Sequence, residues 1–203
     1  TPRGLSDDDV LSDLASTAAD ISVVLAYGRI LPPAILALPA RGVLNVHPSL
    51  LPLYRGPSPV VTAIREGASE TGVSVMLLDE GMDTGPVIAQ SASVPITESD
   101  TAESLTDQLF RMGVDLLVKT IPAWERGDIE AVPQDDALAT VTSLVEKSDG
   151  ELDFGEPALH ITRATRAYHP WPGTFTHWDG KLLKILEASV SGTGENLRPG
   201  VVS

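Results

Sequence analysis

The chain has 203 residues, 42% of them hydrophobic, and a formal net charge of −14. Its length and apolar content suit one large domain, or one and a half ordinary ones, with a real core, while the acidic balance argues against the whole surface gripping nucleic acid. There is no cysteine, which excludes disulfides, thiol nucleophiles and cysteine–zinc sites and fits a reducing compartment; no apolar run could span a bilayer, and no signal-peptide layout opens the chain.

Residues 5–20 place Val10, Leu11, Leu14 and Ala18 at helical spacing, with Ser6 or Asp7 able to cap the start. The run ISVVLA that follows is short, apolar and β-branched, as a buried strand requires. LPPAILALPARG predicts a short helix begun by proline, and VLNVH a second strand. SPVVTAIREG reads as a helix closed by Gly67, and TGVSVMLL as a third strand. This alternation predicts an α/β sheet with parallel crossovers. After the acidic loop DEGMDTG, PVIAQSASVPI has partial period-two alternation and is expected at the sheet edge. The longest predicted helix follows, with Leu105, Leu109, Met112, Leu116 and Leu117 as its apolar stripe. Residues 128–147 are polar and turn-rich, and part of this stretch reads as a linker. Beyond it lie a helix that stops before Pro170 and two strands joined at Asp179-Gly180. The chain opens on Thr1 and stops at RPGVVS, so it is read as a piece of a longer protein.

Two stretches could carry chemistry. On a strand, Asn45 and His47 point to the same face, and in open α/β sheets ligands sit beyond the carboxyl ends of strands. The bland alternative is a turn-capping asparagine and a satisfied, half-buried histidine. DEGMDTG supplies a carboxylate at the end of another strand, and spacing leaves Asp79, Glu80 and Asp83 equally open; it could equally be a solvated turn. From Gly28 to Arg65 there is no Asp or Glu, whereas Arg29, Arg41, Arg55 and Arg65 all fall there. That is either chance or a local positive field for an anionic ligand.

Three chemistries use an amide, an imidazole and a carboxylate. A serine hydrolase built on Ser49 lacks the Gly-x-Ser-x-Gly turn and sets the serine two residues from its base. A metal site lacks a second nearby histidine or a recognised ligand spacing. Acyl transfer without a covalent intermediate uses all three groups, with amide and imidazolium on the oxyanion.

The segments AYGRILP, NVHPSLLPLYRG, TGVSVMLLDEGMDTGP and RAYHPWPGTF resemble, in this order, the folate-dependent formyltransferases. RGPSP and HPWPGTF are more similar to the methionyl-tRNA branch than to the purine-pathway one. The resemblance implies a Rossmann-like formyltransferase domain with a mostly parallel sheet at 1–127, a linker at 128–147, and the beginning of an OB-type β-barrel domain at 148–203. It implies Asn45, His47 and Asp83 as catalytic residues, with Asp83 favouring the charged imidazole. Folate binding falls to Ser49, Leu50, Leu51 and Pro52 and to Tyr27, Gly28, Arg29 and Ile30. Arg55 would meet the anionic tail of the formyl donor, meet the tRNA end, or fix its own loop. The implied co-substrate is 10-formyltetrahydrofolate without a metal. The implied acceptor is methionyl initiator tRNA, gripped mainly by regions outside this chain, and the protein is expected as a cytoplasmic or organellar monomer away from membranes. Pro48 departs from the small residue common in the family. A sister enzyme acting on a sugar or ribonucleotide amine, a formyltetrahydrofolate hydrolase and a non-catalytic folate- or RNA-binding scaffold are the alternatives. Tyr54, Met112, Trp124 and the HPWPG turn are expected to pack rather than react.

Overall fold

In the computed structural model, residues 4, 5 and 7–191 are described. Helix α1 (Asp8–Ser16) begins after Asp7, whose extended backbone makes it the N-cap, and buries none of its residues; Ser6, the other candidate cap, lies outside the described residues. Strand β1 (Ser22–Val24), helix α2 (Pro33–Leu36), strand β2 (Val43–His47) and helix α3 (Pro59–Glu66) follow. Both short helices start on proline, whose fixed φ and missing N–H suit a first turn. Then come β3 (Glu70–Thr71), β4 (Ser74–Leu77), β5 (Val87–Gln90), β6 (Val94–Pro95) and the 25-residue helix α4 (Ala102–Arg126). Helix α5 (Ala158–Ala167) and the hairpin of β7 (Thr174–Trp178) and β8 (Lys181–Ile185) complete the order. Asp179 and Gly180, at φ 47 and 73, make the expected tight turn between them. Of the expected barrel, this hairpin is the part the described residues contain.

The α/β class holds, but the sheet is mixed rather than mostly parallel. Its order is β1-β2-β4-β5; β1 runs parallel to β2, while β2–β4 and β4–β5 are antiparallel. His47 pairs with Ser74, so β4 starts beside the end of β2. The 48–58 loop and α3 therefore return the chain to the end it left, whereas a parallel crossover must carry it to the opposite one.

Leu44 and Val46 point away from the Asn45 face and are buried with Val60, Ile64, Leu105 and Leu109 in the main core. Burying each such aliphatic side chain contributes about 1.5–3 kcal/mol. α4 comes unusually close to β2 at Gly113, where an added methyl would run into Val46. Its N-terminus carries a reciprocal cap: Thr101 Oγ1 accepts from the Ser104 amide at 3.2 Å, and Ser104 Oγ accepts from the Thr101 amide at 3.0 Å.

The 128–147 stretch lies against the sheet domain. Val132 and Val87 exchange backbone hydrogen bonds of 2.7 and 2.8 Å, and the Thr142 amide donates to the Arg55 carbonyl at 2.7 Å. α5 packs on α3, with the Arg65 guanidinium 5.3 Å above the Tyr168 ring.

Candidate active site

β2 delivers Asn45 and His47 to one face at its carboxyl end. His47 is 4% exposed, and its ring is held on both sides. Nε2 lies 2.9 Å from the Tyr54 carbonyl oxygen; a carbonyl can only accept, so Nε2 carries a proton and donates it there. Nδ1 then faces Asp83 Oδ2 at 3.6 Å, and is the nitrogen left to exchange a proton. That separation is longer than a hydrogen bond.

Asp83 reaches His47 because the 79–85 loop folds back over the sheet. Asp83 itself takes φ 54; the Gln134 amide donates to the Asp83 carbonyl at 2.8 Å and to the Gly85 carbonyl at 2.7 Å. Its Oδ2 accepts from the Gly56 amide at 2.8 Å. Gly56 is required there: at φ 102, a Cβ would approach the Thr142 carbonyl oxygen to 2.8 Å. The other two acidic residues do not pair with the imidazole, although Asp79 also lines the cavity. Asp79 accepts from the Gly81 amide at 3.0 Å and the Thr84 hydroxyl at 2.8 Å, and Glu80 is exposed. Geometry alone thus brings one of three carboxylates to the imidazole.

Asn45, His47 and Asp83 line a cavity of about 610 Å³, and so does the expected 27–30 loop after β1. Asn45 is half-buried, and among the described residues its amide has no hydrogen-bond partner. The polar groups lining the cavity thus include one unpaired amide and one imidazole–carboxylate pair, with Arg29 and Asp79 also on the lining. On the 27–30 side, Val24, Leu31 and Leu78 supply apolar wall, and the α-carbon of Gly28, at φ 73, has open space beside it.

The expected segment Ser49–Pro52 does not line this cavity. Ser49 is 0% exposed; its hydroxyl donates to the Leu53 carbonyl at 2.6 Å, which removes it as a nucleophile. The Ser74 hydroxyl donates to the Ser49 carbonyl at 2.7 Å and accepts from the Leu51 amide at 3.0 Å. Arg55 is buried and donates to Gln134 Oε1 at 2.9 Å and to Asp136 at 2.8 Å. Of its three readings, these contacts describe the one that fixes its own loop. The four arginines of the acid-free stretch do not form one positive edge: Arg29 lines the cavity, Arg65 stacks on Tyr168, Arg55 is paired, and Arg41 lies at the end of α4, where its carbonyl accepts from the Trp124 indole at 3.0 Å.

Among the described residues, no group of three or more His, Asp or Glu side chains is placed to hold a metal ion. His160, His169 and His177 stand outside the cavity beside Glu156, Glu103 and Glu151. Burial raises the phenol of Tyr54 above its ordinary 10.0, and the charge of Glu66 raises it further. Burial also raises that of Tyr168, with Arg65 opposing. Sequence reasoning missed Gln134, which positions the acidic loop, the Tyr54 carbonyl, and Trp171, which lines the cavity from beyond α5. A backbone carbonyl has no signature in a sequence, and the other two lie 51 and 88 positions from Asp83 along the chain.

The Formyl transferase family model matches residues 1–121, and the model of the Formyl transferase C-terminal domain matches 144–203. A methionyl-tRNA formyltransferase of Chloroflexus aurantiacus is 49% identical over 201 residues, which is 99% of this chain and 64% of that protein. The chain thus spans less than two thirds of this relative's length. Among solved structures, a 4-N formyltransferase from Francisella tularensis matches with a TM-score of 0.77 at 19% identity, over 94% of this chain and 78% of that one. An N-formyltransferase from Helicobacter canadensis, in complex with folinic acid and dTDP-3-aminofucose, matches with a TM-score of 0.61 at 26% identity, over 70% of this chain and 52% of that one.

Proposed function

This chain belongs to the formyl transferase family, and on that premise we propose that the protein moves a formyl group from 10-formyltetrahydrofolate to the α-amine of methionyl initiator tRNA. The observation that carries the reading is the meeting of an unpaired amide, Asn45, with the His47–Asp83 pair in one cavity beside the 27–30 loop. The apolar wall and open backbone at Gly28 fit a flat heterocycle there. The 49% identity to a methionyl-tRNA formyltransferase supports the acceptor.

In this mechanism the acceptor amine attacks the formyl carbon, a C–N bond forms, and the bond from that carbon to the folate N10 breaks. The amine gives up one proton and N10 gains one. Negative charge develops on the formyl oxygen, where the Asn45 amide and the Nδ1–H of imidazolium His47 donate to it. Asp83, oriented by the Gly56 amide, holds the imidazolium and takes part in proton transfer. No metal is needed, and the reaction belongs in the cytoplasm or a bacterial-type organelle.

The test offers the intact protein 10-formyltetrahydrofolate with methionyl initiator tRNA, with a sugar amine, with glycinamide ribonucleotide, or with water alone. The proposal expects formyl transfer to the tRNA. Transfer only to one of the small amines, or formate release alone, would assign the site to a sister activity.

A further inference from the structure

Trp171 sits on a fixed turn, yet the residue is 59% exposed. Pro170 and Pro172 restrict the backbone on either side. The Gly173 amide closes the turn onto the Tyr168 carbonyl at 2.8 Å, and His169 lies 3.5 Å from Glu103 at the start of α4. A turn held this firmly has no need of an exposed indole for its own stability. The indole lines the same cavity as Asn45 and His47, together with Leu144, which is 70% exposed, and Phe110 of α4. The cavity therefore has an apolar rim supplied by residues beyond the sheet, on segments other than the 27–30 loop.

We propose that Trp171 is the stacking platform for the nucleobase at the 3′ end of the acceptor, with Leu144 beside it. The inference rests on the transfer to aminoacyl-tRNA proposed above. An amine at the formyl carbon is joined through its ester to a ribose, so the terminal base lies several bonds farther out, toward a rim rather than the floor. A preordered, solvent-facing indole suits a flat partner arriving from water, because every base offers a π-face and the platform gives up little freedom on binding. It also reconciles a chain of net charge −14 with a nucleic-acid substrate: at this point the contact is stacking and does not depend on phosphate charge. Trp171 is a positioning residue; it does not touch the reacting atoms.

The experiment measures steady-state formylation of methionyl initiator tRNA by the intact protein carrying Trp171→Ala, Trp171→Phe or Trp171→Leu, with the thermal midpoint of each. The unsubstituted protein must first formylate the tRNA; failure at that step refutes the functional reading and with it this one. Given that activity, the alanine variant is expected to raise the KM for tRNA about tenfold to a hundredfold. The KM for the formyl donor and kcat should stay within about threefold. Phenylalanine should restore most of the loss and leucine little. Equal rescue by leucine would mean an aliphatic contact, and an unchanged KM for tRNA in the alanine variant would mean no contact; either overturns the proposal. So would a fall in kcat and the thermal midpoint together, which would mark the indole as structural.

Discussion

His47 is fixed by a backbone carbonyl on one nitrogen and faces a carboxylate on the other, so Nδ1 is the nitrogen its surroundings leave to exchange a proton. Ser49, two residues away, has the opposite character: its hydroxyl is consumed by the Leu53 carbonyl. Ser49→Ala should therefore cost about 1 kcal/mol of stability, because one hydrogen bond to the Leu53 carbonyl is lost. The transfer rate should remain within a few-fold. Urea unfolding and an activity assay on one preparation check both, and a large loss of rate without loss of stability would restore Ser49 as a reacting group. The tyrosines give a pH prediction. Burial raises the phenols of Tyr54 and Tyr168 above 10.0, so the folded state holds these protons more tightly than the unfolded chain does. Their contribution to stability is complete below pH 10 and is lost as the pH climbs from there through the folded values. Thermal midpoints at pH 9 and pH 11 should fall less in Tyr168→Phe than in the unsubstituted chain.

At the scale of elements, most of the pattern was legible. β2 spans the five residues VLNVH that the sequence marked, and α4 starts one residue after Thr101 and stops at Gly127, where a capping residue and a glycine are expected. Thr101→Ala removes one half of the reciprocal cap and should lower stability by about 1 kcal/mol; an unchanged urea midpoint would contradict that. Strand direction was not legible. Periodicity reports which face is buried, but the sense of β4 depends on where the 48–58 loop and α3 bring the chain back. The acidic loop failed to resolve for a similar reason. Asp79, Glu80 and Asp83 share one short turn-rich sequence, and the choice among them is made by the Gly56 amide and by Gln134, both distant in the chain. In the Ser49–Pro52 segment, Ser49 and Leu51 make internal hydrogen bonds, which the sequence does not reveal.

For the molecule as a whole, the sheet carries Asn45 and His47 and the following segments complete the cavity. Residues 132–142 bond to β5 and the Arg55 loop, α5 packs on α3, and Trp171 reaches the rim. β1 has no partner on its outer edge among the described residues, and Val23, Leu25, Val114 and Val118 are exposed. Unpaired edges and bare apolar side chains are surfaces on which other chain segments can pack. No helix of the described residues is long and apolar enough to cross a membrane. In the proposed mechanism Asn45 and His47 stabilise the transition state without holding the folate. Single-turnover formyl transfer to methionyl initiator tRNA, with folate affinity measured alongside, tests it in Asn45→Ala and His47→Ala. Asn45→Ala should lose about a hundredfold and His47→Ala about 10²–10⁴-fold, each with folate binding retained. A near-normal transfer rate in either variant would contradict the mechanism.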